Sequence, residues 1–336
     1  MRVLVTGGTG FVGSHIVLSL LDAGHDVRLL VRRPGQVGRT FAAHDRAISD
    51  VVVGDVLDAE AVRTSMEGCD AVVHAAAVYS LDRRRADEMA STNAIAAEIV
   101  LGAAVEQHCD PIVHVSSTVA LTRHGGSGPD LPLGDIDRPY CRSKVASEEI
   151  ARRLQASGAP VVTIYPGQVY GPHDPYMGEQ TQRLAWIVPG MFPLWPTGGN
   201  HCVDVRDVAA TVAAVMEPGR GPRRYVVPGH HVTGDALYSA VSTAIGRRRP
   251  HVTMPRVLGS TSTGSMEAVQ RHFPAKWRHY PADPEGIEII HRDTRFDTTA
   301  AESELGVHAL PFDDSVRDTI AWMVDAGHLK EKYRPR

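Results

Sequence analysis

Short apolar runs rich in β-branched residues alternate with longer amphipathic stretches through the first half of the chain. The runs are almost continuously apolar, which is typical of strands covered on both faces by helices. They predict strands at Arg2 to Thr6, Asp26 to Val31, Asp50 to Gly54, Ala71 to His74, Pro111 to Ser116 and Pro160 to Tyr165. Helices are predicted at Gly10 to Ala23, Asp58 to Met66, Asp87 to Gln107 and Arg142 to Ala156. This alternation predicts a doubly wound parallel α/β sheet, because right-handed crossovers place helices on both faces.

Composition and charge narrow the class of protein. The chain has 336 residues, 43% hydrophobic and 22% charged, so we expect a folded protein of one large or two ordinary domains. A net charge of -4 provides no basic field for a polyanion, which argues against nucleic acid and favours a small-molecule substrate. The 17 histidines show neither H-x-x-x-H nor H-E-x-x-H spacing, so no metal site is predicted.

The number and spacing of cysteines and the lengths of the apolar runs bear on the cellular location of the protein. The four cysteines are scattered without a C-x-x-C pair, which argues against a disulfide framework and a zinc knuckle. No apolar run approaches the ~18 residues of a membrane span, and the sequence lacks the pattern of an export signal. We therefore expect a cytoplasmic protein with no membrane partner.

The first predicted strand runs directly into a glycine-rich turn, Thr6-Gly-Gly-Thr-Gly-Phe-Val-Gly13, which opens the first predicted helix. Such a turn lets a pyrophosphate approach backbone amides with no Cβ in the way, and the helix N-terminus adds partial positive charge. The strand-turn-helix context favours a Rossmann dinucleotide site over a purely structural glycine turn. We expect Gly7 and Gly10, with Phe11 and Val12, to contact the cofactor.

The end of the second predicted strand bears on which dinucleotide binds. NAD enzymes place an acidic residue there, about 20 residues after the glycines, to hold the ribose 2′-hydroxyl. This sequence has Arg32 and Arg33 at that place. A guanidinium group binds phosphate through two parallel hydrogen bonds, so NADP(H) is favoured over NAD(H). The alternative is that both arginines are surface charges, since arginine supplies most of the basic residues.

Beyond Tyr165 the sequence predicts a second, smaller domain. It is rich in turns, proline, glycine and large apolar residues, with helices predicted at Val205 to Met216 and Ser315 to Ala326. We assign residues 1–167, about 201–217 and about 293–300 to an NAD(P)-binding Rossmann domain. We assign a discontinuous C-terminal substrate domain to residues from about 168 to 200, 218–292 and 301–330.

A tyrosine and a lysine provide candidate acid/base chemistry. Tyr140 and Lys144 lie four residues apart at the start of a predicted helix, so both project from one face. A phenol has a pKa near 10; a lysine at ~4 Å would contribute about 4 kcal/mol, or about three pK units, towards the phenolate. We therefore expect Lys144 to bring Tyr140 near working pH. Ser117, at the end of the fifth strand, is placed to donate to a substrate carbonyl; loop serines also commonly satisfy backbone groups.

In this chain order, the glycine turn, the strand-end serine and the Tyr-x-x-x-Lys pair resemble the extended short-chain dehydrogenase/reductase family. This NAD-dependent epimerase/dehydratase group includes dihydroflavonol and cinnamoyl-CoA reductases and 3β-hydroxysteroid dehydrogenases. The resemblance covers residues 1 to about 175 and returns at 203–209 and 295–322; residues 218–290 show little of it.

The resemblance implies further cofactor contacts. It implies that Asp55 and Val56 contact the adenine, that Ala75, Ala76 and Ala77 flank the nicotinamide ribose, and that Pro166 and Val169 lie in the segment meeting the carboxamide. Arg39, together with Arg32, resembles the basic residues that hold the 2′-phosphate in NADPH-using reductases. Tyr140 and Lys144 would also contact the cofactor. A homodimer through the helices predicted at Asp87 and Arg142 is a further implication.

Departures from the family pattern bear on the reaction. Ser117 is followed by Thr118 and Val119, where sugar 4,6-dehydratases carry acidic residues, and the signature common in sugar epimerases is replaced by Tyr165-Pro-Gly-Gln168. The leading hypothesis is therefore NADP(H)-dependent reduction of a carbonyl, or oxidation of a secondary alcohol. The alternatives are a nucleotide-sugar epimerase and a non-catalytic dinucleotide-sensing regulator. Candidate substrate-pocket residues are Tyr79, Thr118, Gln168, Tyr176 and Trp186.

Overall fold

A computed structural model describes residues 1–77, 86–123, 126–255 and 284–336. The strands, in chain order, are β1 (Arg2–Thr6), β2 (Asp26–Val31), β3 (Val51–Val53), β4 (Ala71–His74), β5 (Ile112–Val115), β6 (Val161–Tyr165), β7 (Gln168–Tyr170), β8 (Leu194–Pro196), β9 (Gly199–Asp204), β10 (Arg223–Val226), β11 (His230–Thr233) and β12 (Val252–Met254). The helices are α1 (Phe11–Asp22), α2 (Gly35–Ala42), α3 (Ala59–Met66), α4 (Ala86–Glu106), α5 (Pro139–Ala156), α6 (Glu179–Ile187), α7 (Val205–Ala214), α8 (Gly234–Ala244), α9 (Pro284–Arg292), α10 (Thr299–Leu305) and α11 (Phe312–Asp325).

Seven of the described strands form one parallel sheet in the order β10-β6-β5-β4-β1-β2-β3. The central strand β1 pairs with β2 on one side and with β4 on the other. The direction of strand order reverses at this point, and in open α/β sheets such a reversal opens a crevice at the carboxyl ends of the strands. The doubly wound parallel fold predicted from the sequence is confirmed.

Helices cover both faces of the sheet because side chains alternate along each strand. Val3 and Val5 of β1 face one way and share a buried core with Ile16 of α1 and Val208 of α7. Leu4 faces the other way, into a core completed by α3, α4 and α5. Both faces of β1 are therefore excluded from water, which explains its continuous apolar sequence.

A separate apolar core is built from the later part of the chain. Leu184 of α6, Leu237 of α8 and Ile320 of α11 are buried in it, with Trp195 of β8. Two small sheets accompany this core, one in the order β11-β9-β7 and one formed by β12 and β8. Only two residues separate β6 from β7, so the smaller sheet begins where a large-sheet strand ends.

The large sheet gains a strand that the sequence analysis did not predict. β10 pairs with β6, with Arg223 opposite Val162, although residues 218–292 were assigned to the second domain. Ala301, assigned to the same domain, is buried in the core of α1 and α7. These two boundaries are corrected accordingly, and the division into two domains itself stays a proposal.

Candidate active site

The turn between β1 and α1 lies against the loop that follows β4. Gly7 has a φ of +74°, and a Cβ here would lie 2.6 Å from both the Ala75 carbonyl carbon and the Ala76 nitrogen. A Cβ on Gly13 would overlap the Gly7 carbonyl oxygen. Only glycine permits these approaches. The turn therefore forms a narrow cradle walled by backbone.

The N-terminus of α1 opens onto this cradle. Gly10 is the N-cap residue, no side chain caps the helix, and the first turn carries no acidic residue. The amides of the first turn have no partner within the helix and carry partial positive charge. Phe11 and Val12 of this turn line the adjoining cleft. In shape and polarity the cradle fits the pyrophosphate of a dinucleotide.

The predicted basic residues lie at the next strand end. Arg32 and Arg33 follow β2 directly and are exposed, as is Arg39 on α2. The Thr40 hydroxyl donates to the Thr9 carbonyl at 3.4 Å, which ties α2 to the glycine turn. The three guanidinium groups are thus accessible on elements attached to the cradle.

The other predicted cofactor residues follow β3 and β4. Asp55 and Val56 are half-buried after β3, and the Asp55 carboxylate accepts the Leu57 amide at 3.0 Å. Ala75 and Ala77 line the cleft, and the amide of Ala76 donates to the Thr6 hydroxyl at 3.4 Å. All of these residues lie at carboxyl ends of strands, and their contacts with a dinucleotide stay predictions.

Two elements bring the candidate catalytic side chains together. Ser117 follows β5; its hydroxyl oxygen accepts the Val119 amide at 3.2 Å, and its side chain acts to lower the pKa of Tyr140. Tyr140 is the second residue of α5, and Lys144 follows one turn later on the same face. Ser117 and Tyr140 line the cleft, while Lys144 is only 8% exposed.

Burial dominates the protonation of these groups. It raises the pKa of the Tyr140 phenol; the Ser117 hydrogen bond opposes the rise, and the Glu285 and Glu179 carboxylates add to it. Burial lowers the pKa of Lys144 to about 8, and the Glu148 carboxylate opposes this. The expected lowering of the Tyr140 pKa to near neutrality is therefore not met. The phenol is protonated at neutral pH, which suits a proton donor.

Two stacked histidines lie on the sheet in the region of Lys144. His74 and His114 are in register on β4 and β5, with ring centroids 5.8 Å apart. Burial, with a smaller contribution from the charge of Lys144, lowers the pKa of His74 to about 3. Burial, His74 and Lys144 also hold the pKa of His114 far below its usual range. Both imidazole rings are therefore neutral at neutral pH. The positive charge in this buried region is carried by Lys144.

A cleft of about 380 Å³ connects the glycine cradle with Ser117 and Tyr140. The residues predicted from the sequence that line it are Gly7, Gly10, Phe11, Val12, Ala75, Ala77, Ser117, Thr118, Tyr140, Gln168 and Val169. This volume lies within the range of small-molecule sites. The fold thus brings these predicted residues to one cavity, whereas its lining residues do not include Lys144, Arg32, Arg39, Asp55, Val56 and Ala76.

Several predicted pocket residues lie elsewhere. Tyr176 is 53% exposed, Trp186 packs against the core of α6, α8 and α11, and neither is among the cleft-lining residues. Pro166 is buried, and its carbonyl accepts the Thr118 amide at 2.9 Å. Tyr79 lies outside the described residues. Of the predicted substrate-pocket residues, Thr118 and Gln168 line the cleft, and the assignment of the pocket stays a prediction.

Helices α6 and α9 form part of the cleft wall that the sequence analysis missed. Glu179 and Arg183 lie one turn apart on α6, with 3.6 Å between their charged groups. The Arg183 guanidinium carbon is 5.5 Å from the Trp195 ring centroid. The buried Glu285 of α9 accepts the Cys141 amide at 2.7 Å. No local pattern marks these residues, because only the fold brings them to the cleft.

The described ranges also bear on metal binding, membrane crossing and disulfides. They contain no group of three or more His, Cys, Asp or Glu residues arranged to hold a metal ion. Among their helices, none is long and apolar enough to cross a membrane. All four cysteines are free thiols.

Comparison with known proteins assigns the family. The model of the NAD dependent epimerase/dehydratase family matches residues 3–227. The chain is 32% identical to a 3 beta-hydroxysteroid dehydrogenase/Delta 5-->4-isomerase of Mycobacterium tuberculosis, over 92% of this chain and 86% of that protein. It is 28% identical to cinnamoyl-CoA reductase 1 of Oryza sativa subsp. japonica, over 68% and 71% of the two chains. The crystal structure of gox2253 matches with a TM-score of 0.82 and 26% identity, covering 98% of this chain and 99% of that one. The chain therefore belongs to the NAD dependent epimerase/dehydratase family and is an NAD(P)-dependent oxidoreductase of the extended short-chain dehydrogenase/reductase type.

Proposed function

We propose that this protein is an NADP(H)-dependent reductase of carbonyl compounds that acts through Ser117, Tyr140 and Lys144. The observation that carries the proposal is that Ser117 and the Tyr140 phenol line the same cleft as the glycine cradle. Dihydroflavonol and cinnamoyl-CoA reductases are the family members whose chemistry it most resembles.

Each of the three residues has a distinct role. When bound, the nicotinamide supplies the hydride. Ser117 donates a hydrogen bond to the substrate oxygen and polarises the carbonyl. Tyr140 delivers the proton to that oxygen, and Lys144 binds the nicotinamide ribose and stabilises the phenolate left behind.

The protonation of Tyr140 supports the reductive direction. Burial and two nearby carboxylates raise the pKa of the phenol, so it holds its proton at neutral pH. A group in this state is ready to act as an acid and would have to be deprotonated before it could act as a base. Reduction therefore starts from the resting protonation state of the site.

The charge of the cleft favours an uncharged substrate. Among the described lining residues, Asp174, Glu179 and Glu285 are acidic, and Arg183 is basic. Glu179 is paired with Arg183, which leaves the Asp174 and Glu285 side chains to disfavour an anionic substrate on that side of the cleft. This observation argues against binding of the nucleotide diphosphate of a sugar-epimerase substrate. The epimerase therefore ranks second, behind the reductase.

The assignment of NADP(H) rests on the arginines after β2. Arg32 and Arg39 are exposed beside the glycine turn and offer planar donors to a 2′-phosphate. Cytoplasmic location and pairing of two copies through α4 and α5 stay predictions. A non-catalytic dinucleotide sensor is disfavoured because Tyr140 and Lys144 are both retained in the site.

A substrate screen tests the proposal. The purified protein is mixed with NADPH and either uncharged ketones and aldehydes or nucleotide sugars, while nicotinamide absorbance is followed and products are analysed. Net oxidation of NADPH with the uncharged panel is the expected result. Interconversion of nucleotide sugars without a net absorbance change would support the epimerase and contradict the reductase.

A further inference from the structure

The helix that carries Tyr140 and Lys144 receives its N-terminal cap from a distant part of the chain. The N-cap residue of α5, Arg138, makes no side-chain capping hydrogen bond. Instead the amide of Cys141, in the first turn, donates to the Glu285 carboxylate at 2.7 Å, across 144 positions of sequence. A carboxylate at a helix N-terminus satisfies an otherwise unpaired amide and interacts favourably with the helix dipole.

Apolar packing holds the same two helices together. Ile289, one turn after Glu285 on α9, is buried with Val119, Ile136 and Cys141, and Tyr140 packs against this cluster. Residues four apart share one helix face. One face of α9 therefore contacts the start of α5 through a charged hydrogen bond and an apolar cluster.

Helix α9 is also part of the cleft. Ile289 and Ile290 line it together with Glu285, and Ile290 is also buried in the core shared by α6, α8 and α11. Tyr140 precedes the capped amide by one residue. The position of the phenol thus depends on a helix whose other contacts lie on the substrate side of the molecule.

We infer that Glu285 is a positioning residue, which caps α5 and thereby fixes Tyr140 relative to the substrate side of the cleft. The inference rests on the proposed function, in which Tyr140 is the proton donor. Glu285 itself transfers no proton in this account. Its contribution is to hold the start of α5 in one geometry while α9 packs against it.

The charge of Glu285 and its capping hydrogen bond can be separated by substitution. The groups that influence the phenol are Ser117, Cys141, Glu179 and Glu285, with Lys144 one turn along α5. A negative charge near a phenol disfavours the phenolate. Removing the charge while keeping a hydrogen-bond acceptor therefore tests the cap alone: a neutral acceptor at position 285 should restore kcat, which alanine cannot do.

The experiment compares Glu285→Ala, Glu285→Gln and the control Glu288→Gln, which removes a carboxylate from the same helix. Hydrogen exchange of the first turn of α5 should rise on the order of tenfold in Glu285→Ala and much less in Glu285→Gln. In Glu285→Ala, kcat should fall about tenfold with an unchanged KM for NADPH. In Glu285→Gln, which keeps an acceptor for the Cys141 amide, kcat should stay within about threefold of the unmodified protein. Glu288→Gln should match the unmodified protein.

Two results would overturn the inference. One is exchange and kcat in Glu285→Ala equal to those of Glu288→Gln. If Glu285→Ala does not fold, the other is exchange and kcat equal to those of Glu288→Gln in Glu285→Asp, whose carboxylate is one methylene further from the Cys141 amide. Tyr140→Phe separates this outcome from failure of the proposed function: an active Tyr140→Phe protein refutes the function, whereas an inactive one beside unaffected Glu285 variants refutes only the positioning role.

Discussion

Lys144 shows how one buried residue links stability to pH. Its pKa is about 10.5 in the unfolded chain and, because of burial, about 8 in the folded protein. Below pH 8 the lysine is charged in both states, and folding bears the full cost of burying the ammonium group. Between pH 8 and 10.5 the unfolded chain binds more protons, so the cost fades and stability rises with pH.

Replacing Lys144 with methionine should therefore stabilise the protein at neutral pH, by up to about 3 kcal/mol, because the charge is removed and the length is kept. The advantage should shrink towards zero near pH 10.5. Denaturant unfolding of both proteins at pH 7, 9 and 10.5 measures this, with the exposed Lys330→Met as control. A constant difference across the series would refute the burial argument.

Arg32 tests the cofactor preference at the scale of one side chain. In Arg32→Ala the dissociation constant for NADPH should rise about tenfold to a hundredfold, as expected for losing charge-assisted hydrogen bonds to a phosphate. The constant for NADH should change little, because NADH lacks the 2′-phosphate. Titration of both cofactors, with Arg46→Ala as control, checks the assignment. Equal NADPH and NADH affinities in the unmodified protein would contradict it.

At the scale of elements, local sequence patterns predict best those strands and helices that pack into a buried core. The limits of β1, β2 and β4 agree with prediction because each contains a compact group of β-branched and other apolar residues that is buried in the core. The edge strand β10 was missed: its sequence, Arg-Arg-Tyr-Val226, is half polar, since an edge strand is only partly buried. Helix α2 was missed because Gly35 and Gly38 weaken its helical propensity.

The same limit applies to the site. Gly7, Gly10, Tyr140 and Lys144 are detectable because their chemistry depends on short spacings within one turn or helix. Glu285 is not, because its role depends on contact between α9 and α5, which no local sequence pattern encodes. Burial reverses even a predicted direction, that of the Tyr140 pKa, because desolvation is a property of the folded surroundings.

The glycine cradle depends on the close approach of two loops, which glycine substitutions can test. Gly7→Ala should destabilise the protein by about 1–3 kcal/mol and weaken binding of either dinucleotide, because the added Cβ meets the backbone after β4. The control is Gly24→Ala: Gly24 also has a positive φ, of +81°, but open space around it. Chemical unfolding and cofactor titration separate conformational strain from close approach. Equal effects of the two substitutions on cofactor binding would contradict the cradle.

At the scale of the molecule, two kinds of structure meet at the cleft. The parallel sheet supplies the cradle, Ser117 and the Tyr140 helix, all at carboxyl ends of strands, where doubly wound folds bind ligands. The cleft is completed by α6 and α9, which supply most of its charged side chains. The family match covers residues 3–227, and we expect substrate choice to depend on the later elements, including α9, where the sequence resembles the family least.

The central claim is that Tyr140 donates the proton during carbonyl reduction in this cleft. Its most direct test is Tyr140→Phe, which keeps the ring and removes the hydroxyl, with Tyr333→Phe as control. Stopped-flow NADPH oxidation should slow by about 10²–10⁴-fold, the usual contribution of a general acid, with an unchanged NADPH dissociation constant. A Tyr140→Phe protein that turns over within tenfold of the unmodified enzyme would contradict the account.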